Sequence, residues 1–341
     1  MIQHSSLSLI VMAAGMGSRF GGDKQITPIA PNLATFLEYT FYDALCSGIN
    51  HAVCILKPEI ETTFRERILR QIPKNFQCDI VHQTFPSTQR KKPWGTGHAI
   101  LCAKDKIRDH FITVNADDFY GREAIQSLVQ YLKTLSPGEK RGACITYPLK
   151  DTLSPSGLAS KEIHRPHGCI HRGSMVQFVT KLSLEKNRIA CDTHPLKDTP
   201  PPSGSVSRGI CHCDERGNLR EIIESEGTYL RDDGIITNRK GEDLPLDAPA
   251  SMNLLGFTSA FLEILQRQWE LFYAQNASSP TAEFGFPGVI RTCAEDPEWE
   301  IKIIPAKSSW IGITFREDLL HAAERIHAKI RQGLYPQPLW N

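Results

Sequence analysis

A glycine-rich segment near residue 15 has the residue types of a phosphate-binding loop. An apolar run at residues 9–14 leads into two glycines and two cations, which are Gly15, Gly17, Arg19 and Lys24. Glycines let backbone N–H groups approach an anion closely because they carry no Cβ. The spacing is neither that of a Walker A loop nor that of the dinucleotide fingerprint, in which Phe20 would have to be a third glycine. The segment predicts a nucleoside triphosphate site at the end of a first strand.

Asp117 is the candidate metal ligand. It follows a predicted buried strand at residues 111–115, where a carboxylate is well placed to hold Mg²⁺. The neighbouring carboxylate, Asp118, is interpreted as the cap of the helix that follows.

These motifs resemble those of the sugar-1-phosphate nucleotidyltransferases, also called NDP-sugar pyrophosphorylases. The order A-A-G-x-G-x-R-x-G-G-x-K-Q is similar to the signature loop of that family. Residues 94–99 resemble its G-T-[AG]-x-A turn, which admits the nucleotide base, and residues 114–121 resemble its metal-binding motif. The resemblance implies an Mg²⁺-dependent enzyme that joins an NTP to a sugar 1-phosphate, giving an NDP-sugar and pyrophosphate.

The resemblance also implies a role for each matching residue. It assigns the triphosphate and catalysis to Arg19 and Lys24, and the metal to Asp117. The implied sugar-binding residues are Glu224 and Asn253. The implied nucleotide-binding residues are Ala13, Ala14, Gly15, Gly17, Gly95 and Thr96.

Three positions depart from the family pattern. Many relatives have a Gln just before the base turn, where this chain has residues 92–94, Lys-Pro-Trp, so the base preference stays open. Ser225 follows Glu224 where relatives have a Lys, and Lys181 and Lys302 are the candidate substitutes. Gly312 stands near the position of a second metal-binding Asp. Either Asp118 or water completes the metal shell, or the metal binds more weakly.

Alternating strands and helices must position these residues. Strands are predicted at residues 7–13, 52–56, 78–82, 111–115 and 143–148, and helices at residues 34–46, 60–72, 97–106 and 121–135. This alternation predicts an α/β fold with a Rossmann-like, mostly parallel sheet flanked by helices. The resemblance implies the nucleotide-diphospho-sugar transferase type of that fold. Ligands are then expected at the carboxyl ends of the strands.

The second half is interpreted as the remainder of one domain spanning residues 1–341. Residues 155–204, rich in Pro, Ser, His and Lys, are interpreted as an inserted loop. Zinc is a secondary hypothesis for its His and Cys residues, which are His164, His167, Cys169, His171, Cys191 and His194. Later strands are predicted at residues 209–213, 219–224, 251–257 and 300–305, and helices at residues 261–273 and 315–335.

Composition limits the class of protein and its partners. The chain has 341 residues and a formal net charge of +1, so no strong field recruits nucleic acid or an anionic membrane. No apolar stretch is long enough to span a bilayer. Ten scattered cysteines are expected to be reduced thiols in a cytoplasmic protein. The expected partners are an NTP and a sugar 1-phosphate; the oligomeric state, a homo-oligomer included, is left open.

Two other readings remain. The G-G-D-K sequence at residues 21–24 also resembles molybdenum-cofactor guanylyltransferases, and cytidylyltransferases share the same fold, so the acceptor could be a non-sugar. A non-catalytic, regulatory pyrophosphorylase-like protein is the other alternative, motivated by Gly312 and by the insertion.

Overall fold

The structure is a computed structural model. It describes residues 6–15, 24–29, 33–83, 90, 92–153, 178–185, 188–195 and 204–340.

The described residues form a central sheet of eleven strands. Its strands are β1 (Leu7–Met12), β2 (His51–Leu56), β3 (Gln77–His82), β4 (His110–Asn115), β6 (Arg141–Pro148), β9 (Val206–Cys213), β10 (Leu219–Leu230), β11 (Ile236–Thr237), β12 (Asp243–Leu244), β13 (Pro249–Thr258) and β14 (Glu300–Pro305). Two short strands, β5 (Asp118–Phe119) and β15 (Ile311–Gly312), pair with each other. A separate hairpin consists of β7 (Phe178–Glu185) and β8 (Arg188–Pro195).

The helices are α1 (Phe36–Cys46), α2 (Pro58–Phe64), α3 (Thr96–Cys102), α4 (Arg122–Leu132), α5 (Ala260–Asn276), α6 (Phe286–Glu295) and α7 (Asp318–Arg331). A π-helical turn, Arg65–Leu69, extends α2. α1 begins with a capping box, in which Thr35 and Glu38 satisfy each other's backbone N–H groups.

The centre of the sheet is parallel, as the alternation predicts. β3, β2, β1 and β4 lie side by side in that order, and each neighbouring pair is parallel. β1 is buried on both faces: Leu9 and Val11 pack into one hydrophobic core, and Ile10 packs into the other. Helical residues complete each core, for example Leu128 of α4 in the first and Phe261 of α5 in the second. The predicted α/β fold with flanking helices is therefore confirmed.

β13 is the strand that joins the two halves of the sheet. It runs antiparallel to β4, β6 and β9, and β6 continues to β14 through a parallel pair. The predicted fifth strand, β6, therefore does not follow β4 directly in the sheet, because β13 lies between them. This placement brings the second half of the chain against the carboxyl end of β4.

Some elements differ from the predictions at their ends. α7 begins at Asp318 and ends at Arg331, so it is shorter than predicted at both ends. The Asp318 carboxylate accepts hydrogen bonds from the N–H groups of Thr314 and Phe315, which holds the preceding residues in a turn. Gly333, with φ of +74°, follows the helix and ends it. α6 and the short strands β5, β11 and β12 were not predicted.

The predicted insertion is only partly described. Within it, β7 and β8 pair antiparallel over eight residues each, so this part is a hairpin. The zinc hypothesis falls on residues outside the described side chains. Within the described part of the chain there is no group of three or more potential metal ligands of the His, Cys, Asp and Glu types. None of the described helices is both long and apolar enough to cross a membrane.

A buried carboxylate connects α1 to the residues that follow α7. Asp43 of α1 is 1% exposed, and it accepts hydrogen bonds from Tyr335 Oη at 2.7 Å and Arg122 Nε at 3.1 Å. Arg122 also donates to the carbonyl of Leu334. Burial raises the pKa of Asp43 to about 6, although Tyr335 and Arg122 lower it.

This raised pKa predicts a specific pH dependence of stability. The folded state binds the proton of Asp43 more tightly than the unfolded state, whose ordinary pKa is 3.8. The stabilisation that the protonated carboxyl group of Asp43 provides is thus fully present below pH 4 and is lost as the pH rises to 6. Relative to Asp43→Asn, the free energy of unfolding of the wild type should fall by about 2–3 kcal/mol between pH 4 and pH 7. Urea denaturation of both proteins across this range measures it, and a constant difference would contradict the prediction.

Candidate active site

A cavity of about 480 Å³ lies at the carboxyl end of β4. Its volume is typical of ligand sites, and its position is the one at which parallel sheets bind ligands. Six of the sequence-predicted site residues line it, and these are Lys24, Gly95, Thr96, Asp117, Glu224 and Asn253. They come from five separate segments of the chain, so the fold brings together what the motifs only order along the sequence.

The remaining predicted residues are placed differently. Ala13 and Ala14 are buried at the end of β1, where Ala13 N–H donates to the carbonyl of Ile55. The carbonyl of Gly15 accepts a hydrogen bond from Gln25 Nε2 at 3.2 Å. Among the described residues these three support the site from β1 and do not line the cavity. Gly17 and Arg19 lie outside the described residues, so their predicted roles stay predictions.

Lys24 and Asp117 form an ion pair inside the cavity. Lys24 Nζ lies 3.5 Å from Asp117 Oδ2 and donates to the carbonyl of Ile313 at 2.8 Å. The two side chains are 12% and 32% exposed, so the ammonium group and the carboxylate meet at a partly buried surface. The structure thus places the predicted catalytic Lys beside the predicted metal ligand.

Asp118 is not a helix cap, contrary to the sequence interpretation. α4 begins after Gly121, and no side chain caps it. Asp118 instead lies in β5, 6% exposed, and its Oδ2 accepts hydrogen bonds from Asn115 Nδ2 at 2.8 Å and Tyr120 Oη at 3.3 Å. Burial, and next the charge of Asp117, raise its pKa to about 7. The reason is the short strand β5, which separates Asp118 from the helix and turns its side chain towards the cavity.

Asn253 has a backbone conformation that is rare for a residue other than glycine. Its φ is +63°, and it lies where the register of β13 with β6 shifts between Ser251 and Leu255. Strained residues of this kind often occur at functional sites. The carbonyl of Asn253 accepts from Thr113 Oγ1 at 3.0 Å, and its Nδ2 donates to Asn115 Oδ1 at 3.4 Å. The bulge therefore connects the predicted sugar contact to the Asp118 network.

The predicted base turn packs against a loop that the sequence did not indicate. Gly95 has φ of +102°, and a Cβ on it would lie 2.7 Å from the carbonyl oxygen of Phe284. Thr96 is the first residue of α3 and does not cap it; its Oγ1 accepts the N–H of Phe286, at the start of α6. Gly97 N–H donates to the carbonyl of Phe284 at 2.9 Å. The turn is thus anchored to α6, whose preceding residues Glu283 and Gly285 also line the cavity.

Two residues near this turn were missed by the sequence reasoning. Gln83, which follows β3, donates from Nε2 to the carbonyl of Gly95 at 2.9 Å, so a Gln does support the base turn, from twelve residues before Gly95 and not from the position just before the turn. The guanidinium of Arg90 lies 3.3 Å from the centroid of the Trp94 ring and donates to the carbonyls of Ser279 and Ala282. Neither residue belongs to a local motif. The partner of Gln83 is twelve residues away in the sequence, and the carbonyl partners of Arg90 lie in the loop before α6.

Arg208 is a further cation of the cavity that the sequence did not single out. It is 8% exposed, and its Nε donates to the carbonyl of Thr152 at 3.0 Å. Its guanidinium also lies 5.2 Å from the Trp310 ring. Thr152 precedes the insertion and Arg208 follows it, so this contact joins the two chain segments that flank the insertion, at the edge of the cavity. The tripeptide Ser207-Arg208-Gly209 was the available signal, and all three residues line the cavity.

Glu224 reaches the cavity from β10 and is exposed. The candidate cation Lys302 pairs with Glu300 at 2.6 Å and is absent from the described lining of the cavity, so it does not replace the Lys expected beside Glu224. The side chain of the other candidate, Lys181, is outside the description.

The donor set fits Mg²⁺. Asp117 and Asp118 offer carboxylate oxygens on one wall of the cavity, and hard divalent cations prefer oxygen ligands. The opposite strand carries Gly312, where the ring of Trp310 occupies the space that a side chain would need.

Comparison with known proteins agrees with this arrangement. A family model described as nucleotidyl transferase matches residues 8–157. This part of the chain is therefore similar to a nucleotidyl transferase domain. It contains β1, the base turn and the two aspartates, and β13 completes its sheet from outside the matched residues.

Two relatives extend the comparison. A UTP–glucose-1-phosphate uridylyltransferase of Bacillus subtilis (strain 168) is 27% identical over 153 residues, which cover 37% of this chain and 50% of the relative. The match therefore spans about half the length of that relative. Together with the family model, it supports the sugar-1-phosphate nucleotidyltransferase family that the motifs predict. The solved structure of an inositol-1-phosphate CTP transferase from T. maritima is 12% identical, with a TM-score of 0.57 over 96% of this chain and 98% of that chain, and shows that the fold is shared.

The contact between the base turn and Phe284 predicts the effect of adding one methyl group. Gly95→Ala should lower the free energy of unfolding by about 1–3 kcal/mol, because it forces an L side chain into a positive φ and against a carbonyl. In Gly288→Ala, the matched control, the new Cβ meets no atom within 4 Å. Its stability should be unchanged or higher by up to about 1 kcal/mol. Chemical denaturation compares the two, and equal stabilities would show that the contact with Phe284 is not constraining.

Proposed function

We propose that this protein is an enzyme that joins an NTP to a sugar 1-phosphate, producing an NDP-sugar and pyrophosphate in a Mg²⁺-dependent reaction. The observation that carries the proposal is the common cavity. It holds the Lys24–Asp117 pair, the base turn at Gly95 and Thr96, and the hydroxyl-binding candidates Glu224 and Asn253. The nucleotidyl transferase domain and the uridylyltransferase relative support the same chemistry.

The reaction is an in-line displacement between two anions. An oxygen of the acceptor phosphate forms a bond to the α-phosphorus of the NTP, and the bond from that phosphorus to the bridging oxygen of the β-phosphate breaks. Pyrophosphate leaves with the electron pair of that bond, so no oxidant or further reactant is needed. Catalysis then consists mainly of aligning the phosphates and neutralising their charge.

The cations of the cavity serve this neutralisation. Lys24 presents an ammonium group that the carbonyl of Ile313 and the carboxylate of Asp117 hold in place. Arg208 adds a fixed guanidinium whose orientation the carbonyl of Thr152 sets. When bound at Asp117, Mg²⁺ supplies further charge neutralisation at the phosphates. Because the site is partly buried, these charges interact with the phosphates more strongly than they would in water.

The acceptor side is suited to a polyhydroxylated molecule. A carboxylate such as Glu224 accepts hydrogen bonds from hydroxyl groups, and an amide such as Asn253 both donates and accepts. The positive φ of Asn253 sets the direction of its side chain before substrate arrives. Preorganisation of this kind lowers the entropy cost of binding.

A pyrophosphate-release assay tests the proposal. The purified full chain with Mg²⁺ is incubated with each common NTP against a panel of sugar 1-phosphates, with choline phosphate and inositol 1-phosphate as non-sugar acceptors. We expect release that requires one NTP and one sugar 1-phosphate. Release with a non-sugar acceptor alone would replace the sugar by that acceptor class. If no pair of substrates releases pyrophosphate although NTP binding is shown separately, a non-catalytic role is favoured. If Asp117→Asn loses turnover but still binds the NTP, catalysis is supported.

The role of Glu224 predicts a selective change in affinity for the acceptor. Glu224→Gln should raise KM for the sugar 1-phosphate about tenfold, because a charge-assisted hydrogen bond becomes a neutral one. KM for the NTP should stay within about twofold of the wild type. Glu226→Gln is the matched control, since Glu226 lies on the same strand but pairs with Arg239 and does not line this cavity. Steady-state kinetics measure both KM values for each variant. Equal effects of the two substitutions would exclude Glu224 from acceptor binding.

A further inference from the structure

The short pair of strands β5 and β15 places Gly312 directly opposite Asp118. In this antiparallel register, Ile311 faces Phe119 and Gly312 faces Asp118. Side chains of directly opposed residues lie on the same face of a ladder, with Cβ atoms about 5 Å apart. Any ligand carried at position 312 would therefore share its location with the Asp118 carboxylate.

Gly312 leaves that location to Asp118. A Cβ at position 312 would clash with the ring of Trp310 and would lie 3.0 Å from Asp118 Oδ1. The ring of Trp310 thus excludes a side chain from β15, while the carboxylate from β5 is already present. Gly312, which departs from the family pattern, and the buried Asp118 are therefore direct neighbours in space.

The two oxygens of Asp118 have different surroundings. Oδ2 is held by Asn115 and Tyr120. Oδ1 accepts no hydrogen bond from the described residues, although the residue is only 6% exposed and lines the cavity beside Asp117. This oxygen therefore keeps its lone pairs available for a ligand in the cavity. Its position on the cavity wall indicates where that ligand binds.

The charge balance of the cavity points to a cation as this ligand. The described lining carries two cations, Lys24 and Arg208, and four carboxylates, which are Asp117, Asp118, Glu224 and Glu283. Because Lys24 pairs with Asp117, the carboxylate of Asp118 contributes to the negative charge that remains for a divalent ion. An oxygen-only donor set selects Mg²⁺ or Mn²⁺ over softer metals.

We propose that Asp118 Oδ1 is the second protein ligand of a divalent cation held with Asp117, in place of a ligand from β15. The inference deepens the proposed function, on which it rests for its catalytic purpose. It predicts that the protein binds the cation through two consecutive residues of one strand end, without a contribution from position 312.

Mn²⁺ binding to the nucleotide-free full chain tests this proposal. Electron paramagnetic resonance reports free Mn²⁺ during titration at pH 8. We expect Asp118→Asn to weaken Mn²⁺ binding at least tenfold, and Glu123→Gln, which removes an exposed carboxylate of α4, to leave it within twofold of the wild type. Absence of Mn²⁺ binding in the wild type, or an affinity of Asp118→Asn within twofold of it, would overturn the proposal.

A second variant separates ligation from support of the local fold. Ser308→Ala removes a hydrogen bond to the carbonyl of Tyr120, next to this site, but keeps both carboxylates and the donors to Asp118 Oδ2. We expect its Mn²⁺ affinity to stay within threefold of the wild type, and a loss as large as that of Asp118→Asn would show a structural role instead. Mn²⁺ binding that depends on Asp118 without pyrophosphate release would leave this inference standing and overturn the proposed function. Pyrophosphate release without dependence of Mn²⁺ binding on Asp118 would do the reverse.

Discussion

The buried hydroxyl of Tyr120 is the contact on which the geometry of the cavity depends. It accepts the N–H of Asn115 at the end of β4, and lies within donating distance of the carbonyl of Met252 in β13 at 2.9 Å and of Asp118 Oδ2. The carbonyl of Tyr120 in turn accepts hydrogen bonds from Tyr147 of β6 and from Ser308. One residue, 1% exposed, therefore joins three strands of the sheet to the segment before β15. Because a buried polar group must keep its partners, these elements hold a fixed spacing.

Around this support, the cavity concentrates charge that burial makes expensive. Lys24 meets Asp117, and Arg208 lies close enough to lower the pKa of Asp118 against the larger effects of burial and of Asp117. A protein retains such groups where they act on a charged ligand, since the same groups in a purely structural role cost desolvation energy. Phosphates and a divalent cation are ligands of the appropriate charges.

The part of the cavity proposed to bind the nucleotide is shaped by a close approach of two backbone segments. Gly95 allows the turn before α3 to contact the carbonyl of Phe284, and Arg90 binds the loop before α6 from the other side. The guanidinium of Arg90 stacks on the ring of Trp94, the residue before Gly95, and both side chains are buried. A base turn of this kind is rigid because its glycine has no alternative that fits the same space.

The sequence by itself determined the parallel centre of the sheet, the order of the motifs and six of the residues that meet in the cavity. These follow from local signals: apolar runs buried on both faces, glycines at required turns, and charged residues immediately after strands. It could not determine that β13 lies between β4 and β6, that Asp118 faces the cavity instead of capping α4, or that Gln83 supports Gly95. Each of these depends on contacts between distant segments, such as Gly312 with Asp118, and no periodicity or spacing along the chain records them.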